Sequence, residues 1–121
     1  MLKGRIRAMF NLWHLGMGGL KMTAMNIVHM KIKPGKEADY LAIHRELRAD
    51  GMPGLRNFWL VETGERAFTV VGEWDDMTAL AAARPVMIAN LDRLRPILED
   101  LGGDLGMTDP RSGAVALHAA P

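Results

Sequence analysis

The chain has 121 residues, a formal net charge of +1 and no cysteine. Its length fits one domain, and its balanced charge argues against partners such as nucleic acid or an anionic membrane surface. The absence of cysteine excludes disulfides, thiolate metal ligands and a cysteine nucleophile, and it fits a cytoplasmic location.

Residues 1–21 differ in pattern from the remainder of the chain. Asn11 and His14 interrupt their apolar stretch, which is unlike a secretory signal and too short and polar for a transmembrane span. One interpretation is an extension that is disordered or a start-site artefact, with translation beginning at Met22; the other is a short amphipathic helix lying on a partner. We expect the folded domain to span residues 22–121.

The first predicted elements are a strand and a helix. Residues 26–33 alternate, with Val28, Met30 and Ile32 on one face and Ile27, His29 and Lys31 on the other. This pattern predicts a strand, and Pro34-Gly35 ends it. Residues 36–49 are predicted to be a helix. Its inward stripe, at helical spacing, consists of Tyr40, Ile43, His44 and Leu47.

A hairpin follows, with strands at residues 55–62 and 66–74. The turn between them contains Gly64, which can adopt a positive φ at little cost. Strand 66–74 suits burial on both faces. Asp75 and Asp76 then offer side-chain oxygens to cap the next helix.

The second helical region is predicted from Met77 to Leu101. Pro85 and Pro96 interrupt it, because proline removes a helical hydrogen bond. After a turn-rich loop, residues 114–118 are predicted to be a short fourth strand.

The element order is therefore β-α-β-β-α-β, which predicts an α+β, ferredoxin-like fold. Such a fold is a four-stranded antiparallel sheet with two helices on one face. The other face would be apolar and uncovered, and an apolar patch of that size normally marks an interface. Two sheets packed face to face would bury it, so we expect a homodimer.

Two short motifs carry a family resemblance. They are Lys33-Pro34-Gly35 after the first strand and Val71-Gly72-Glu73-Trp74-Asp75 at the end of the third. Over residues 25–118 the chain resembles the antibiotic-biosynthesis-monooxygenase-like proteins of the dimeric α/β-barrel superfamily. The resemblance implies a homodimer with a ligand cavity between the sheet and the helices of each subunit. Some members oxidise phenolic polyketides to quinones with molecular oxygen and no cofactor, and others degrade haem.

The haem-degrading members carry an iron-ligating histidine on the second helix. This chain has no histidine between His44 and His118, so it departs from that pattern. Haem degradation is not expected, and neither a cofactor nor a metal is predicted.

A cofactor-free oxygenase must hold a phenol, help to deprotonate it and stabilise the anion in a dry cavity. His44 and Asn90 are the candidate catalytic residues, because both are polar on inward helical faces. His44 is either a general base or a structural residue bonded to a backbone carbonyl. Asn90 needs a partner, which is either a ligand or the backbone at the Pro85 kink.

The candidate substrate-binding residues are Tyr40, Trp59, Trp74 and Arg84. The two tryptophans would either wall a pocket or belong to the core, and Arg84 would either anchor an anionic substrate or remain solvated. The predicted function is a cofactor-independent monooxygenase-like protein acting on a small aromatic or oxidisable metabolite. The alternative is a non-catalytic homodimer that binds a small ligand or serves a stress response.

Overall fold

The computed structural model describes residues 22–47 and 51–121. The predicted extension and the predicted end of the first helix at Ala49 lie outside these residues. The elements, in chain order, are β1 (Ala24–Lys31), α1 (Glu37–Glu46), β2 (Leu55–Gly64), β3 (Ala67–Trp74), α2 (Met77–Ala82), α3 (Arg84–Leu94), one turn of 3-10 helix (Arg95–Ile97) and β4 (Asp109–Ala114).

The four strands form one antiparallel sheet in the order β2-β3-β1-β4. The predicted α+β, ferredoxin-like class is confirmed. Even-numbered residues of β1 and β3 face the helices, because successive strand residues alternate between faces. The main core joins that face to α1 and α3 through Met30, Ile32, Tyr40, Phe68, Val70, Leu94 and Leu98.

The opposite face of the sheet carries an exposed apolar patch, as the sequence predicts, next to polar residues such as His29, Thr69 and Glu73. Ile27 on β1 and Trp59 and Val61 on β2 retain 43%, 46% and 44% of their accessible surface. Among the described elements, none of the helices covers them. None of these helices has the length and apolar character needed to cross a bilayer.

The second helical region is kinked where the sequence predicts. The Asp76 Oδ1 accepts a hydrogen bond from the Ala79 N–H at 2.7 Å and caps α2. Pro85 lies in the first turn of α3, where its missing N–H costs nothing. The helix does not reach Leu101, because the chain turns extended at Leu98 and bridges to Ile32 beside β1.

The fourth strand is the clearest correction to the sequence prediction. It spans Asp109–Ala114 rather than residues 114–118. The segment looked like a loop because it contains Pro110, but β4 is an edge strand, and proline is tolerated there. The apolar stretch that follows lies outside regular structure, with Leu117 83% exposed.

The β2–β3 turn also differs from expectation. Arg66, not Gly64, has the positive φ of 57°. Its Nη1 donates hydrogen bonds to the Ile32 carbonyl at 2.7 Å and to Glu99 Oε2 at 2.9 Å. These contacts hold the turn against the segment that follows β1 and the segment that follows α3.

Candidate functional site

A half-open cavity of about 620 Å³ lies between the helices and the helix-facing side of the sheet. This volume lies in the range of sites for small molecules. Its lining is mostly apolar. Residues of α1, α2, α3 and all four strands contribute to it. The polar side chains that line it are Asn26, His44, Arg84, Asn90, Thr108 and Ser112.

The floor of the cavity contains a buried hydrogen bond between β1 and β3. The Trp74 Nε1–H donates to Asn26 Oδ1 at 2.6 Å, and the two residues are only 1% and 7% exposed. An indole nitrogen can only donate, so the amide oxygen of Asn26 must face it. The amide N–H₂ group of Asn26 then has no hydrogen-bond acceptor among the described residues.

Gly72 makes room for this hydrogen bond. It is the cross-strand partner of Asn26. A Cβ atom at Gly72 would lie 2.3 Å from Asn26 Oδ1 and 3.0 Å from Trp74 Nε1. No side chain fits there, so the asparagine amide lies across the neighbouring strand and reaches the indole.

His44 lies on the wall of the cavity in a fixed tautomer. Its Nδ1 is 2.9 Å from the Tyr40 carbonyl oxygen, which can only accept, so Nδ1–H donates. The neutral ring therefore carries no proton on Nε2. Burial lowers the pKa of His44, and the bond to Tyr40 opposes that shift. The ring lies between Tyr40 and Phe58, with centroid distances of 4.4 and 6.0 Å.

Two predicted residues of α3 also line the cavity. Asn90 makes no side-chain hydrogen bond to the Pro85 kink or to any other described residue. Arg84 is exposed and forms no ion pair with the part of the chain that the structure describes. Both side chains are thus free to interact with a ligand.

Tyr40 and Trp59, two of the candidate substrate-binding residues, lie outside the lining of this cavity. Tyr40 is completely buried, its hydroxyl donates to Met30 Sδ at 3.5 Å, and its ring packs on Phe68. Burial raises the pKa of Tyr40. Trp59 points to the opposite face of the sheet, because its pairing with Val71 gives it the outward orientation.

Sequence reasoning missed Asn26, although a signal was present. Asn26 has the same parity as Val28 and Met30, so it lies on their buried face. A polar residue in that series needs a partner. Thr108 and Ser112 had no comparable signal, because the loop interpretation of this segment concealed their orientation. Among the described residues, no three His, Asp or Glu side chains cluster as metal ligands do.

Comparisons with known proteins agree with this fold. The structure is similar to that of SnoaB, a cofactor-independent oxygenase from Streptomyces nogalater, with 12% identity, a TM-score of 0.63, and coverage of 79% of this chain and 95% of that one. It is similar to a protein of unknown function from Nitrosomonas europaea, with 15% identity, a TM-score of 0.65, and coverage of 83% and 95%.

A NIPSNAP-family protein of unknown function from Agrobacterium tumefaciens is also similar, with 14% identity, a TM-score of 0.57, and coverage of 81% and 92%. At these identities the likeness concerns the fold alone. No curated protein matches the sequence. The sequence pattern described as antibiotic biosynthesis monooxygenase matches residues 23–84, just over half of the chain. The chain therefore belongs to the antibiotic biosynthesis monooxygenase family.

Proposed function

We propose that this protein is a cofactor-independent monooxygenase-like enzyme that acts on a small aromatic metabolite bearing a phenol or enol oxygen. The observation that carries the proposal is the Asn26–Trp74 pair on the cavity floor. A buried amide whose N–H₂ group lacks a protein acceptor is costly. A ligand oxygen would satisfy it.

The arrangement suits stabilisation of an oxyanion. The Asn26 Oδ1 is engaged by the indole, so the group that remains for a ligand is a hydrogen-bond donor. Donors held in place before reaction stabilise developing negative charge, and their effect is larger where water is excluded. The apolar lining favours a flat, apolar ring, and the indole of Trp74 provides aromatic surface beside the donor.

His44 is assigned as the base that removes the ligand proton. Its Nδ1–H is held by the Tyr40 carbonyl, so Nε2 carries the lone pair that accepts a proton. The lowered pKa keeps the ring neutral, and hence able to act as a base, near neutral pH. The same bond that looks structural therefore also orients a base.

The deprotonated ligand supplies the electrons in this proposal. Its anion transfers them to molecular oxygen, a peroxide forms at ring carbon, and loss of water leaves a carbonyl. The overall change is CH₂ + O₂ → C=O + H₂O, which balances without an added reductant. The protein contributes binding, proton removal and anion stabilisation.

Arg84 and Asn90 are assigned to substrate binding at the α3 side of the cavity. Arg84 is the single permanently charged residue among the described lining residues. Its position suits a carboxylate or a second phenolate on the ligand. Asn90 offers both a donor and an acceptor.

The alternative is a non-catalytic small-ligand-binding protein or stress-response homodimer. It is favoured by the scarcity of acid–base groups: His44 is the one described lining residue suited to exchange a proton near neutral pH, and its lowered pKa makes it a weaker base. An apolar cavity with a few donors binds a ligand equally well without chemistry.

Homodimer formation is part of the proposal. The exposed apolar face around Ile27, Trp59 and Val61 supports it, since the same face on two subunits can pack about a two-fold axis. A cytoplasmic location stays a prediction.

Oxygen uptake by purified protein tests the proposal, with hydroxylated naphthalenes and anthrones as substrates and a chelator present. Wild type should consume oxygen with at least one compound and yield a quinone. Asn26→Asp is the matched variant, because it keeps an acceptor for Trp74 Nε1 but removes the amide donors. It should lower turnover by at least about tenfold.

His44→Gln should also lower turnover, most strongly for compounds with the least acidic phenol. Saturable binding without oxygen uptake across the whole panel would leave the binding protein as the correct function. Absence of both binding and uptake would reject both functions.

A further inference from the structure

On the cavity floor, one residue each from β3, β1 and β4 lie side by side across the sheet, and the residue on β4 is polar. Asn26 is paired with Gly72 on one side and with Ser112 on the other. Paired residues in an antiparallel sheet point to the same face, with Cβ atoms about 4.5–5.5 Å apart. Ser112 therefore stands next to Asn26 on the side away from Trp74, and both line the cavity.

The Ser112 hydroxyl makes no hydrogen bond to another residue within the described parts of the chain. The Asn26 amide oxygen is directed to Trp74, across Gly72, and so away from Ser112. Two neighbouring groups on the floor are consequently both available to donate: the Asn26 N–H₂ and the Ser112 O–H.

We propose that Ser112 is a specificity-determining residue that acts with Asn26 to select ligands carrying two oxygen atoms on neighbouring positions of a planar ring system. This inference rests on the proposed function, since it assumes that the cavity binds an oxygen-bearing aromatic ligand. One oxygen accepts from Asn26 and the other from Ser112. Peri-hydroxyketones, peri-diols and vicinal diols have this arrangement.

A ligand with one oxygen can satisfy only one of the two donors. The Ser112 hydroxyl is solvated in the free protein, and a ligand ring that covers it without offering an acceptor leaves it unpaired, which costs binding free energy. A site built to hydrogen-bond a given group discriminates against ligands that lack it for this reason. The pair therefore ranks ligands by oxygen pattern as well as by size.

Thr108 provides a matched comparison. It lines the same cavity and its hydroxyl also lacks a hydrogen bond to the described residues. It lies before β4 and has no cross-strand pairing with Asn26. Removing its hydroxyl tests whether any cavity hydroxyl would serve.

The experiment measures anaerobic binding of 1-naphthol and 1,8-dihydroxynaphthalene by calorimetry, for wild type, Ser112→Ala and Thr108→Val. Wild type should bind the diol about tenfold more tightly than 1-naphthol. Ser112→Ala should reduce that preference to about twofold or less, because the diol loses one hydrogen bond and 1-naphthol no longer leaves the Ser112 hydroxyl unpaired. Thr108→Val should keep the preference.

Equal binding of both probes by wild type, or an undiminished preference in Ser112→Ala, would overturn the role of Ser112 while leaving the proposed function intact. Failure of wild type to bind either probe would reject the proposed ligand class and this inference together. Ser112 is exposed on an edge strand, and a thermal melt should confirm that Ser112→Ala folds as wild type does.

Discussion

Gly72 and Asn26 are cross-strand partners, and the amide of the asparagine occupies the space that a side chain on the glycine would need. The pair allows Asn26 Oδ1 to reach the indole of Trp74. The geometry of the cavity floor thus depends on a residue that contributes no side chain to it.

Gly72→Ala should break the Asn26–Trp74 hydrogen bond, since the new methyl group would lie 2.3 Å from Asn26 Oδ1. We expect a loss of about 1–3 kcal/mol in the free energy of unfolding, together with weaker ligand binding. Urea titration measures the first and calorimetry the second. Gly113→Ala is the control, because it lies in a strand with nothing within 4 Å of its Cβ position. Equal stability of the two variants would contradict this account.

His44 should make stability depend on pH. Its pKa is lower in the folded protein than the ordinary value of 6.5, so below about pH 6.5 the unfolded chain binds the proton first. Stability should therefore fall as pH decreases from 6.5 towards the folded pKa. Urea unfolding at several pH values should show a shallower fall for His44→Gln than for wild type.

The comparison variant for that series is His118→Gln, which changes a histidine in the exposed C-terminal segment. It should reproduce the wild-type curve. Identical curves for wild type and His44→Gln would show that His44 does not titrate differently in the two states.

Trp59 should contribute to self-association through the exposed face of the sheet. Wild type should sediment as a dimer at micromolar concentration, and Trp59→Glu should shift it to monomer, because a carboxylate would be desolvated at the interface. Leu117→Glu, at an exposed position outside the sheet, should remain dimeric. A monomeric wild type would reject the homodimer.

Arg66 combines a strained backbone with two side-chain hydrogen bonds. Arg66→Ala loses both bonds and keeps the unfavourable φ, and we expect a cost of about 1–3 kcal/mol. Arg66→Gly loses the same bonds but relieves the strain, so it should be more stable than Arg66→Ala by about 0.5–1 kcal/mol. Denaturant unfolding gives both values, and the reverse order would show that the backbone strain is negligible.

Several features were determined by the sequence because they depend on local pattern. The alternation in β1 identifies its two faces, Asp76 caps α2, and Pro85 breaks the second helical region. Each depends on a few consecutive residues, and the physical cause is local sterics or hydrogen bonding. The order of elements then predicts the α+β sheet and its exposed apolar face.

The position of β4 and the make-up of the cavity floor were decided only by the tertiary structure. Pro110 is compatible with a strand because β4 lies at the sheet edge, which no local pattern reveals. Asn26 and Trp74 are 48 residues apart, and their hydrogen bond exists because β1 and β3 pair in a register that places Gly72 between them. Strand register is set by contacts between segments that are distant in sequence. The chain therefore acquires its binding site only when the sheet forms.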